Sequence, residues 1–231
     1  MQVIYEDNHI IVVSKQSGEI VQGDKTGDTP LSETVKAYIK EKYAKPGAVF
    51  LGVVHRLDRP VSGLVVFART SKALSRLNDM FRNGDVHKTY WAIVSSQETV
   101  DSSLEAGEWH TLEHWLVRNE QQNKSYAYDH ERPHAKKAVL KYRLIGHSDR
   151  YSLLEVRLLT GRHHQIRCQL AAMGCPIKGD LKYGAKRSNP DGSISLLARR
   201  VEFVHPVSKE NIVVEAPLPP DSLWEKFEIE D

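Results

Sequence analysis

The sequence predicts a mixed α+β fold. Two observations carry that reading: short β-branched runs outnumber the segments with helical spacing, and several of those runs are joined by tight polar turns that make hairpins. Val3–Tyr5 and Ile10–Ser14 are strand-like runs split by Glu6-Asp7-Asn8. Leu31–Tyr43 places apolar residues at 31, 35, 39 and 43, a helical period, with Thr29-Pro30 as its start signal. Gly63–Ala68 reads as a buried strand. A helix capped by Ser71 follows, with Ala73, Leu74, Leu77, Met80 and Phe81 on one face and Asn83-Gly84 as its stop. Lys88–Val94 is another strand, and Val139–Ile145 and Tyr151–Leu159 form a hairpin about His147-Ser148-Asp149-Arg150. Ile166–Met173 is helical with Gly174 beyond it. Ile194–Ala198, Val201–Val204 and Ile212–Glu215 are late strands, and Asp221–Phe227 is a short terminal helix. The polar stretch Arg118–Pro133 is expected to be the mobile loop.

The chain has 231 residues, enough for one sizeable domain or two small lobes sharing a core. Apolar residues make up 40% and charged residues 27%, the ordinary balance of a globular protein. The start is acidic, without the basic flank and apolar core of a signal peptide, and no apolar run nears the roughly 20 residues that span a bilayer. A cytoplasmic location is the expectation. Cys168 and Cys175 have neither disulfide-framework nor C-x-x-C spacing, and read as reduced thiols in a helix and the loop after it.

Net charge is only +2, but its distribution is uneven. Between Thr160 and Arg200 stand eight cations (Arg162, Arg167, Lys178, Lys182, Lys186, Arg187, Arg199, Arg200) against Asp180 and Asp191, so that segment is +6 and the remainder −4. A focal basic zone suits a polyanionic partner; a solvated basic face is the plainer alternative.

Three clusters carry chemistry. His55-Arg56-Leu57-Asp58-Arg59-Pro60-Val61-Ser62-Gly63 sits in a turn before a buried strand, and the flanking arginines would hold the Asp58 carboxylate ionised. An ionised carboxylate beside a nucleic-acid groove is a potential nucleophile, although Asp before X-Pro is also a common turn residue. Thr160-Gly161-Arg162-His163-His164-Gln165-Ile166-Arg167 joins a strand to a helix and has the donors of an anion site. His87-Lys88-Thr89-Tyr90-Trp91 opens a strand with an aromatic beside a cation, suited to stacking on a base, or to sheet packing.

Taken together, these clusters resemble the RluA-type pseudouridine synthase family. His55-Arg56-Leu57-Asp58-x-x-x-Ser62-Gly63 is similar to its H-R-L-D-x-x-T-S-G signature, Lys88-x-Tyr90 to its K-x-Y element, Thr160-Gly161-Arg162-x-His164-Gln165-Ile166-Arg167 to T-G-R-x-H-Q-I-R, and Gly179-Asp180-x-x-Tyr183-Gly184 to G-D-x-x-Y-G. Phe203-x-His205-Pro206 and Pro217-Leu218-Pro219 fit the family's tail, so the resemblance runs from about Val3 to Pro220. It departs at Val61, where the family has Thr, at Lys15-Gln16-Ser17-Gly18, which lacks the proline of K-P-x-G, and at Leu197-Ala198 in place of H-A.

The resemblance implies the pseudouridine synthase catalytic fold, a mixed, mostly antiparallel central sheet flanked by helices and loops, as a single catalytic domain over 1–231 without an accessory N-terminal RNA-binding domain. It implies isomerisation of uridines in ribosomal or transfer RNA. Asp58 is then the catalytic carboxylate, Arg162 its ion-pair partner and Tyr90 the stacking residue. Arg56, His55, Lys88, His164, Gln165, Arg167 and Lys182 are the expected RNA contacts, with Arg56 filling the space of a flipped base. The reaction needs no energy input, in line with a sequence that has no P-loop or dinucleotide fingerprint; no cofactor and no metal are expected, and the family default is a monomer. Without an accessory domain, RNA recognition would fall to loops, Arg118–Pro133 among them.

Two rivals come from other classes. His110-Thr111-Leu112-Glu113-His114 matches H-x-x-E-H, a zinc-protease pattern that requires a helix with both histidines on one face. An RNA-binding protein of the same fold without activity is the other; lesions at Asp58, Tyr90 or Arg162 would have favoured it, and all three residues are present. A glycosidase needs a second carboxylate, and none stands in any motif near Asp58.

Overall fold

The computed structural model describes residues 1–95 and 107–227. In chain order the described strands and helices are β1 (Gln2–Glu6), β2 (Ile10–Lys15), α1 (Leu31–Lys42), β3 (Gly52–Val53), β4 (Ser62–Ala68), α2 (Ser71–Asn83), β5 (His87–Ser95), β6 (His110–Asn119), β7 (Lys124–Tyr128), β8 (Lys136–His147), β9 (Tyr151–Leu158), α3 (Gln165–Ala172), β10 (Leu196–Val204), β11 (Asn211–Glu215) and α4 (Ser222–Glu225). Strands predominate and the fold is α+β, as the sequence indicates.

Two units make up the chain. The first comprises 1–88 and 198–217. Its β2 is an unbroken apolar run, Ile10 to Val13, and lies antiparallel between β1 and β4 with every residue buried. β4 is equally apolar from Leu64 to Ala68, so this part of the sheet is covered on both faces. Gly63 at the head of β4 has φ +117°, and a Cβ there would collide with the backbone of Ala198; only glycine admits that approach. Helix α2 buries Ala73 and Leu77 as the sequence pattern predicts. Its cap is Thr70 rather than Ser71: the Thr70 hydroxyl accepts the Ala73 N–H at 3.1 Å. Gly84 ends it in the left-handed conformation.

The second unit comprises 89–197 and 218–231, with strand order β5-β9-β8-β6-β7 and every neighbour antiparallel. Helix α3 packs Cys168 and Ala171 onto Leu116, Ala127, Ala138 and Tyr183. Cys168 and Cys175 are buried and form no disulfide, in line with two reduced thiols.

Two segments differ from expectation. Arg118–Pro133 is mostly a hairpin rather than a loop: β6 runs to Asn119, and β7 pairs Tyr128 with Trp115 and Tyr126 with Val117. Its alternate residues Ser125 and Ala127 face α3, so only half the strand needs to be apolar, and the polar composition hides the pattern. The late strands split at Arg199-Arg200 are one strand, β10, because both arginines find acids on its edge: Arg199 pairs with Glu215 at 2.8 Å, and Arg200 with Glu202 at 2.8 Å and Glu215 at 3.0 Å. No helix among the described residues is long and apolar enough to cross a membrane.

Candidate active site

Asp58 belongs to the first unit, at the turn between β3 and β4. Its carbonyl accepts the Val61 N–H at 3.0 Å, closing the turn. Leu57 and Val61 flank it and enter the core, while Asp58 stays half-buried. Val61 is 2% exposed, so its departure from Thr places a methyl where a hydroxyl would have to be desolvated. Beneath the turn, at the end of β2, Lys15 is fully buried. Its ammonium donates to the carbonyls of Gln16 (3.0 Å), Arg59 (3.1 Å) and Val61 (2.6 Å). Burial pulls the Lys15 pKa down to about 8, against the opposing pull of the negative charges of Glu19 and Asp58. One cation thus fixes the backbone on both sides of Pro60, next to the candidate nucleophile.

Arg59 does not turn toward Asp58 as a flanking charge would. Its guanidinium donates to Asp28 (2.7 Å), Thr26 (2.9 Å) and the Gly18 carbonyl (3.2 Å), tying the 18–28 loop to the turn. Arg56 is exposed.

His55 is tied into the framework of the first unit. Nε2 accepts the Val66 N–H at 2.9 Å, and the ring stacks on Phe81 with centroids 4.8 Å apart. Burial, helped by the Lys88 charge, lowers its pKa to about 3, so the imidazole is neutral and its Nε2 lone pair is engaged. Lys88 lies over the same Phe81 ring at 5.5 Å, and its pKa is lowered by burial.

Tyr90 and Arg162 belong to the second unit. Tyr90 sits on β5 opposite Val156 and is 7% exposed. Arg162 is exposed, with Nε donating to the Lys137 carbonyl at 3.0 Å. The loop that presents it is shaped by Gln165, whose side-chain oxygen accepts from Thr160 Oγ1 and from the Arg162 N–H, each at 2.9 Å. Its amide donates to the Val139 carbonyl at 3.1 Å. Gln165 is buried and holds the loop in shape.

Arg167 and His164 are likewise engaged within the protein. Arg167 forms a bidentate pair with Asp180 at 2.7 and 2.8 Å, with side-chain exposures of 6% and 1%. Its third contact is His164 Nε2 at 3.2 Å. Guanidinium only donates, so Nε2 accepts, and the proton of neutral His164 is on Nδ1, facing Tyr183 Oη at 2.9 Å. Burial first, then the charge of Arg167, lowers the His164 pKa to about 2. Tyr183 Oη also accepts the Ser125 N–H at 2.8 Å, which welds β7 to the segment. His163 stacks on His164 at 3.8 Å and reaches Ser125 and Asn123. His163, Ser125 and Tyr183 were not singled out for this lock; the aromatic at the end of G-D-x-x-Y was its one sequence signal.

Lys182 is exposed and donates to the carbonyls of Gln122 (3.3 Å) and Asn123 (3.0 Å). The basic zone is smaller than its sequence count. Arg167, Arg199 and Arg200 are paired with carboxylates, and Lys178 donates to Asn189 at 2.6 Å, leaving Arg162, Lys182, Lys186 and Arg187 as its exposed cations.

The zinc pattern does not survive folding. His110–His114 lies on strand β6, where His110 and His114 share a face about 13 Å apart along the strand. Glu113 points to the other face and pairs with Lys137 at 2.8 Å. No group of ligands fit for a metal occurs among the described residues.

Residues 9–172 match the RNA pseudouridylate synthase family. The chain is 34% identical over 235 residues to the ribosomal large subunit pseudouridine synthase D of Xanthomonas campestris, covering 96% of this chain and 67% of that one. It is 29% identical over 222 residues to synthase C of Vibrio cholerae, covering 94% and 65%. The chain thus spans about two thirds of the length of these relatives. The solved structure of human RNA pseudouridylate synthase domain containing 4 shares the fold, with a TM-score of 0.78 at 20% identity, over 100% of this chain and 95% of that one. The chain belongs to the RNA pseudouridylate synthase family.

Proposed function

We propose that this chain isomerises uridine to pseudouridine within RNA as one catalytic domain, with Asp58 as its catalytic carboxylate. The observation that carries the reading is the Asp58 turn, a half-buried carboxylate on a backbone pinned by a buried lysine. A catalytic group must be held to a fraction of an ångström, and it is more accurately held on a fixed backbone than on a mobile loop.

The target uridine leaves its stack, which costs a few kcal/mol, and exposed Arg56 fills the vacancy. Asp58 acts as the nucleophile or as the stabiliser of the separated sugar while the N1–C1′ bond breaks. The base turns, C5 bonds to C1′, the C5 proton leaves and N1 gains one, so atoms and charge balance without a redox partner. Arg162 supplies the cation that orients Asp58, and its presentation by Gln165 and the Lys137 carbonyl supports that role. Tyr90 stacks on the base and assists removal of the C5 proton. Lys182 and Lys88 contact phosphate. The names of the relatives favour ribosomal RNA of the large subunit over transfer RNA as the substrate. The protein acts as a monomer in the cytoplasm.

RNA transcripts tritiated at uridine C5 test the reaction, because the C5 proton is lost only when C5 becomes the glycosidic carbon. Release from large-subunit ribosomal RNA and not from transfer RNA is expected; release from neither would sink the reading.

A further inference from the structure

Side chains alternate across a sheet, so the register of the second unit sorts its residues onto two faces. The face carrying Tyr90 also carries Val156, Leu140, Leu116 and Ala127, the last two beneath α3. The opposite face follows the pairs Thr89–Arg157, Arg157–Lys141, Glu155–Arg143, Lys137–Trp115, Trp115–Tyr128 and Val117–Tyr126. It is built of planar groups and cations. Arg157 and Arg143 lie over the Trp109 ring at 4.4 and 5.0 Å, Arg132 over Tyr128 at 4.1 Å, Lys124 over Tyr126 at 5.4 Å and Lys137 over Trp115 at 5.7 Å.

We propose that this aromatic and basic face of the β5-β9-β8-β6-β7 sheet is a docking surface for an RNA strand, distinct from the Tyr90 face on which catalysis is placed. Charge selects the occupant. Arg143, Arg157, Lys141 and Lys137 project from the face, opposed by Glu155 and Glu113, and Arg132 adds to them at the β7 end, while Lys124 is shared with the Tyr183 ring at 5.2 Å. Glu155 is held between Arg143 (2.6 Å) and Arg157 (3.2 Å), which leaves the outer surface cationic. Lys141, Lys137, Arg157, Arg132 and Tyr126 are exposed. A guanidinium laid flat on a ring offers its outer side to a base, and ammonium groups beside it meet phosphates; unpaired RNA is recognised in this way, by stacking with charge. The hairpin from Arg118 to Pro133 therefore contributes a sheet face rather than a disordered clamp.

The inference rests on the RNA-modifying reading but is tested by binding alone. Affinity for a large-subunit ribosomal RNA fragment and for a single-stranded RNA oligonucleotide is measured against salt for the wild-type chain and for Lys141→Gln/Arg157→Gln and Tyr126→Ala. All three positions are exposed, and thermal unfolding checks that the variants fold. The double variant is expected to bind both RNAs at least tenfold more weakly, with the salt slope reduced by about 2. Tyr126→Ala should weaken binding with the slope unchanged, and saturating turnover should stay at the wild-type rate in both. Wild-type affinity and slope in the variants would overturn the proposal, as would loss of polyglutamate binding with RNA binding intact, which would assign the face to an acidic protein. Weaker RNA binding in the variants, with no tritium release by the wild type, would refute the catalytic reading and leave the surface standing.

Discussion

The turn at Asp58 and the segment 160–167 are alike in sequence, each a short cation-rich run at a strand end, and the fold treats them oppositely. In the turn the local arginines go outward, Arg56 to solvent and Arg59 to Asp24 and Asp28; the buried cation is Lys15, from a different strand, and it grips backbone. In 160–167 the cation of the segment itself goes inward, Arg167 onto Asp180, and its side chains grip one another, while Arg162 alone stays out. The first arrangement fixes a loop and leaves Asp58 half-buried. The second builds a rigid block that presents one arginine. A cation in a motif is thus not by itself a cation available to RNA; what decides is which carboxylate or carbonyl the fold brings to it.

The contrast can be broken at its strongest point first. Arg167→Met leaves Asp180 as a buried uncompensated charge and should cost about 3–5 kcal/mol, read as a lower urea midpoint. An unchanged midpoint would mean that the inward pair is not structural. Lys15→Met strands the carbonyls of Arg59 and Val61 and should cost about 2–3 kcal/mol, with a larger loss of turnover than of stability because the Asp58 turn loosens. If turnover per folded molecule were preserved, the turn would not depend on Lys15.

Acid gives a third effect, graded with pH. His55 and His164 have folded pKa values of about 3 and about 2, below the unfolded value of roughly 6.5. The unfolded chain therefore binds more protons, and stability is lost as pH falls below about 6.5, by at most about 1.4 kcal/mol per pH unit for each group. His55→Gln keeps an acceptor for Val66 and should make the decline between pH 6.5 and 4 shallower; an unaltered slope would place the acid sensitivity elsewhere. Smallest is Arg59→Ala. Its pairs with Asp24 and Asp28 are exposed, and the loss should stay below about 1 kcal/mol in the same unfolding assay. A larger loss would show that the 18–28 loop is part of the turn's support.

Much of this was legible in the sequence. The strands 10–14 and 63–68 are apolar throughout, and α2 shows its buried face at helical spacing, because in both cases burial dictates residue type. The motifs around Asp58, Tyr90 and Arg162 gave the family. The β6–β7 hairpin did not show, since half of each strand is solvent-facing and polar. Nor did the fates of Arg167, His164, Gln165 and His55. Their partners, Asp180, Tyr183, Val139 and Val66, are brought to them by tertiary structure, and a motif read alone cannot separate a residue that touches substrate from one that holds it.

The central claim is that Asp58 is the reacting carboxylate, and Asp58→Asn tests it most directly. The amide keeps the size and the turn but is a poor nucleophile. Single-turnover tritium release from C5-labelled ribosomal RNA should disappear while RNA affinity and unfolding midpoint stay at wild-type values. Release above a few per cent of the wild-type rate, with the same RNA and affinity, would contradict the assignment.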